Sequence, residues 1–209
     1  AGDPKEPVLA GIHGDSSGRI WVTGQGGLYQ WLPEPDTLRF FPITLPESAG
    51  MEEELIFTKF SEASDGAFWL FPAIGQPGYA VYFDPESGTY ELMSDENYWF
   101  GNYVEKGPAP DELWFGAWPG KGELTIFNTR THRLKTVDIQ VDGLNFLVTN
   151  RVESMLRDRS GNMWIAIIDG GLLKFDPLRN NFHWLRFQPE KANSLSHSAV
   201  NGLDQDEEG

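Results

Sequence analysis

Tryptophan recurs in this chain at a nearly fixed interval, and that interval limits the folds open to it. Trp21, Trp69, Trp114 and Trp164 stand 48, 45 and 50 residues apart. Trp21, Trp69 and Trp164 each follow a turn glycine by three residues, at Gly18, Gly66 and Gly161. The fullest copy of the surrounding pattern is RVESMLRDRSGNMWIAIIDGGLLKFD, Arg151 to Asp176: an apolar run, a polar turn, a strand entered through Trp164, a Gly-Gly turn and an apolar strand ending in Phe-Asp. One such unit cannot bury both of its faces, so the fold must be an array. A period of 40 to 50 residues with several strands per unit is the signature of propeller blades.

Each unit supplies four short runs with alternating or continuous apolar character, joined by turns. In the first these are Val8 to His13, Arg19 to Thr23, Leu28 to Leu32 and Leu38 to Phe41. The second repeats them as LIFTKF from Leu55, AFWLF, YAVYF and TYELM, with PAIGQPG replacing the Gly-Gly pair. The third lacks the turn glycine before Trp114 and reads Phe127-Asn128 where the others read Phe-Asp, but keeps the strand order. The fourth ends in NNFHWLRF. The blades predicted are residues 8–49, 50–95, 96–145 and 146–189, and 190–209 reads as a connection and the first strand of a fifth. The expected fold is therefore all-β: a β-propeller fragment of four four-stranded blades plus one further strand, belonging to a longer propeller.

Composition agrees. Among 209 residues there are 23 Gly, 14 Pro, 8 Trp and 13% aromatics, which favours short strands and tight turns over helices. The net charge of −15 repels nucleic-acid phosphates and anionic lipid, so neither is an expected partner. With no cysteine, disulfides, thiolate metal sites and thiol nucleophiles are excluded. No apolar run approaches the roughly 18 residues of a membrane span.

The recurring residues suit a scaffold. A buried tryptophan gives large contact area between blades, and its indole N–H must find an acceptor. Asp15, Asp65 and Asp158, close before glycines, suit turns in which a short carboxylate accepts backbone N–H groups. Asp204 to Gly209 partly matches a calcium loop, but the completing glutamate is absent and the repeat explains the segment. His13, His132, His183 and His197 have no metal spacing, and Ser194, Ser196, His197 and Ser198 read as a connection rather than a nucleophilic site. No metal, cofactor or catalytic residue is predicted.

With GDSSGRIWVTGQGGLYQW, DRSGNMWIAIIDGGLLKFDP and NSLSHSAVNGLDQDEEG set side by side, the chain resembles the two-component regulator propeller repeat. The resemblance spans the chain from Val8 and is weakest in the third unit. It implies a seven-bladed propeller forming the periplasmic or extracytoplasmic sensor region of a bacterial membrane-bound receptor, dimeric at full length. It also implies downstream signalling domains ending in a histidine kinase, diguanylate cyclase or DNA-binding output. An oligosaccharide or other small molecule is the ligand class it implies.

Residues the repeats do not share are where recognition should lie. The loops between second and third strands emerge on one face, where side chains of several blades converge. They carry Gln25, Ala73 to Pro77, Trp118-Pro119 and Asp169. Gln25, Trp118 and Asp169 are the candidate ligand contacts; Trp118, like Trp99, lies outside the recurring tryptophan register. The function read from the sequence is a non-catalytic, ligand- or partner-sensing propeller region. The competing readings are a propeller enzyme resembling the streptogramin lyases, for which no catalytic histidine can be matched, and a protein-interaction scaffold.

Overall fold

A computed structural model describes residues 8–46, 54–73, 78–94, 100–101, 103–116, 124–137, 139–141, 144–145 and 152–206. The chain divides into two compact units, Ala1–Trp99 and Phe100–Gly209. Each unit contains two four-stranded antiparallel sheets whose strands lie in sequence order. No described residue is helical.

The first unit holds β1 (Leu9–Gly14), β2 (Ile20–Gly24), β3 (Gly27–Leu32) and β4 (Thr37–Pro42) in one sheet. Its second sheet is β5 (Phe57–Glu62), β6 (Phe68–Pro72), β7 (Tyr79–Phe83) and β8 (Tyr90–Ser94). The core between them is Trp21, Leu28, Phe41 and Ile43 against Phe57, Phe68, Leu70, Val81 and Phe83. Trp21 is fully buried, with its ring 5.0 Å edge-on to Phe68 and 5.7 Å from Phe41. Aromatic pairs in such tilted and edge-to-face arrangements add to the burial term.

The second unit holds β9 (Val104–Lys106), β10 (Glu112–Phe115), β11 (Leu124–Asn128) and β12 (Arg133–Val137) in one sheet. A two-strand pair follows, β13 (Gln140–Val141) and β14 (Leu144–Asn145). The fourth sheet is β15 (Val152–Arg157), β16 (Met163–Ile167), β17 (Gly171–Asp176) and β18 (Asn181–Leu185). Trp114, Leu124 and Ile126 pack there against Val152, Met163, Ile165, Leu173 and Phe175.

Three features differ from the sequence expectation. The second sheet's first strand begins at Phe57 rather than Leu55, because the Leu55 carbonyl accepts the Gly26 N–H at 2.8 Å and Ile56 bridges to Gln25. Those two residues belong to the inter-sheet connection. The first strands of the first, second and fourth sheets each shift register at the same place, at Leu9/Gly11, Phe57/Lys59 and Val152/Ser154. A bulge of this kind bends a strand and adds twist. Finally, residues 199–206 form no strand, since no partner among the described residues pairs with them.

The Gly-Gly turns have a steric cause. A Cβ on Gly27 would lie 2.2 Å from the Phe41 carbonyl oxygen, and one on Gly171 would lie 2.4 Å from that of Leu185. Both glycines also take positive φ, so only glycine lets the fourth strand close over the turn.

Candidate functional site

The turn aspartates do more than shape turns. Asp15 accepts the backbone N–H groups of Ser17 and Arg19, both at 2.9 Å, and the Trp21 indole N–H at 2.9 Å. Asp158 does the same for Asn162 and for the Trp164 indole at 2.8 Å. Burial pushes the Asp15 carboxyl up, but the bonds from Trp21 and Arg19 outweigh it and hold the group below its ordinary range. In the second sheet Ala63 takes the Asp15 position, since its N–H and carbonyl make the same turn bonds to Ala67 and Gly66. Asp65 therefore sits two residues further along and accepts the Tyr82 hydroxyl instead.

At the second-to-third-strand turns, Gln25 is held by its backbone, its N–H bonding the Val8 carbonyl at 2.8 Å. Asp169 is exposed at φ 56°, one residue before Gly170, whose carbonyl accepts the Trp184 indole at 2.6 Å. The Gln25 carboxamide and the Asp169 carboxylate have no hydrogen-bond partner among the described residues. Trp118 and Trp99 lie outside the described residues. The connections cross over these turns, as the Gly26 N–H meets Leu55 and the Gly171 N–H meets Ser198 at 2.7 Å. Gln25 marks a turn of the first unit and Asp169 a turn of the second.

Close to the Gln25 turn lies a group with no counterpart in the other sheets. Lys59 is 3% exposed, and its ammonium donates to the Pro72 carbonyl at 2.5 Å and to the Thr58 hydroxyl at 3.2 Å. Its register position is occupied by Gly11 in the first sheet and Ser154 in the fourth. Burial brings its pKa down to about 8, and no carboxylate pairs with it among the described residues. The run LIFTKF reads as an apolar strand, and nothing in it shows that the ammonium of Lys59 is buried along with its stem.

Each unit also carries a cleft where the turns after the first and third strands face the neighbouring sheet. In the first unit it is bridged by charges: Arg19 bonds both Asp15 and, across the cleft, Glu86, each at 2.6 Å, and Ser16 bonds Glu62, leaving a polar cleft of about 520 Å³. Phe41 fills the space beneath, 5.3 Å from Phe83.

The second unit lacks each of these features. Turn and ladder register place Gly107 at the position of Asp15, Glu112 at that of Arg19, Lys135 at that of Arg39 and Val137 at that of Phe41. Opposite, Leu178 stands at the position of Glu86 and is 95% exposed. With no aspartate available, the Trp114 indole turns to Glu112 Oε2 at 3.2 Å. A groove of about 800 Å³ remains, lined by Glu112, Ile126, Lys135, Val137, Phe175, Asn181 and Phe182 among others. Phe175 stacks obliquely on Phe182 at 4.8 Å and on Trp114 at 5.2 Å, giving an aromatic floor. The buried Asn181 Oδ1 has no hydrogen-bond partner. The size and the mix of apolar wall with few polar groups are those of small-molecule pockets. Sequence reading missed the groove because it is made by substitutions in a degraded repeat, visible only once register aligns the sheets.

No protein-family model matches the sequence, and no curated protein does. Solved structures do. The extracellular domain of BT4673, a candidate one-component system of B. thetaiotaomicron, matches 99% of this chain at a TM-score of 0.64 and 14% identity. PorZ, a bacterial surface component of the type-IX secretion system of Porphyromonas gingivalis, matches 96% at a TM-score of 0.65 and 15% identity. A protein described as a gluconolactonase matches 83% at 0.57 and 14% identity. The chain spans 26% of the BT4673 chain and 30% of the PorZ chain. The four antiparallel sheets are thus those of a partial β-propeller, like the extracellular domain of BT4673 in fold. Among the described residues no helix is long and apolar enough to cross a membrane.

Proposed function

We propose that this chain is a non-catalytic ligand-sensing β-propeller region of a bacterial membrane-bound signalling receptor, working outside the cytoplasm. The observation that carries the ligand-binding part is the aromatic-floored groove of the second unit, about 800 Å³, where the charge bridges and Phe41 of the first unit's cleft are replaced by Gly107, Glu112 and Val137. The receptor context is supported by the repeat resemblance and by the fold shared with the extracellular domain of BT4673. A ligand held between two sheets would favour one relative placement of them, and a receptor dimer with its downstream output domains would respond through that differential affinity.

The reading against catalysis rests on His13, which is stacked on Phe60 at 4.5 Å and has only the Thr23 hydroxyl as a hydrogen-bond neighbour. Burial lowers its pKa, and no carboxylate orients it among the described residues. The test is thermal shift of the purified protein against neutral oligosaccharides, uronic acids, amines and short peptides, with Val137→Phe as the groove-filled control. A compound that raises Tm in the parent and not in the variant supports the reading. Turnover of any of these compounds, or a shift unchanged in Val137→Phe, would contradict it.

A further inference from the structure

The polar groups of the groove narrow the ligand class, on the reading that the groove binds one. Glu112 keeps one carboxylate oxygen beyond the one bonded to Trp114. Lys135 supplies a cation, and it makes no ion pair with Glu112 among the described residues. Between them the wall is apolar, through Ile126, Val137 and Phe182.

The ladder fixes how far apart the charges are. Trp114, Ile126 and Lys135 form one cross-strand row, and Glu112 lies two residues from Trp114 on the same face of β10. Strand rise and spacing then put the Glu112 and Lys135 backbones about 12 Å apart. An extended dipeptide separates its ammonium and carboxylate by about 7 Å, a span the two side chains can close on from either end. A neutral sugar would leave both charges unanswered, and a simple amine would leave Lys135 so.

We propose that this groove binds a short zwitterionic peptide with apolar side chains, its ammonium on Glu112 and its carboxylate on Lys135. The side chains lie on Ile126, Val137 and Phe182. The free Glu112 oxygen and the Lys135 ammonium then each have a partner, and the aromatic floor is covered. The protein's net charge of −15 favours approach of the ammonium end first.

Calorimetric titration of the whole 209-residue protein with L-phenylalanyl-L-leucine tests this. Binding is expected, weakened at least about tenfold by N-acetylation or C-amidation of the peptide. Lys135→Met, on an exposed strand, and Glu112→Gln, which keeps an acceptor for Trp114, should each weaken it by a similar factor. If the peptide fails while a neutral trisaccharide binds the parent and not Val137→Phe, the peptide class is overturned and the sensor reading stands. If the peptide binds with the two charge variants unaffected, the assignment of the groove is overturned. If no compound of either class binds, both are.

Discussion

Asp15 holds three donors at once: two backbone N–H groups of its turn and the indole of a tryptophan six residues on. Removing it leaves a fully buried indole N–H without an acceptor, at roughly 1–3 kcal/mol for each unsatisfied group. Asp15→Ala should therefore cost about 2–4 kcal/mol in urea unfolding. Asp158→Ala should cost less, because Trp164 is only half-buried and water can replace the carboxylate. Equal losses would contradict the burial argument.

Lys59 tests the opposite case. Its folded-state pKa of about 8 is below the ordinary 10.5, so the unfolded chain holds a proton that the folded one has released between those values. Stability should therefore rise with pH through that window. Lys59→Met should gain most near neutral pH, and the gain should shrink by roughly 3 kcal/mol toward the upper end of the window. A gain independent of pH would show that the lysine is not desolvated. The turn role of Asp15 was legible from its place before a glycine; its grip on the indole was not, because sequence spacing does not show where a ring turns.

At the scale of the element, strand order and type were readable because alternation and turn chemistry are local. The repeated bulge at Gly11, Lys59 and Ser154 was not, since a bulge is a property of two paired strands. The start of β5 was displaced for a like reason: Leu55 and Ile56 look like strand, but their backbone is taken by the Gln25-Gly26 turn. The Gly-Gly pair was visible as a turn, while its steric cause, the carbonyl of the fourth strand, is a tertiary contact. Gly171→Ala, at φ 83° and with a Cβ 2.4 Å from the Leu185 oxygen, should lose at least about 2 kcal/mol in the same unfolding measurement. Gly18→Ala meets no atom within 4 Å and suffers only the φ penalty, so it should lose about 1 kcal/mol. A larger loss at Gly18 than at Gly171 would refute the close-approach account.

At the scale of the molecule, the repeat fixes a scaffold and its departures make the sites. The same register that gives Asp15, Arg19 and Phe41 in the first unit gives Gly107, Glu112 and Val137 in the second, and one cleft is polar and bridged by charges while the other is larger and floored by aromatics. Gln25 and Asp169, expected as departures of this kind, stand at second-to-third-strand turns. The most direct measurement is nitrogen-15 NMR of tryptophan-labelled protein, titrated with the dipeptide and with a neutral trisaccharide. A bound compound should shift the Trp114 indole resonance, which backs the groove, and leave that of Trp21, fully buried at the equivalent place in the first unit, unmoved. Binding that leaves Trp114 unmoved, or that moves Trp21 equally, would contradict the account.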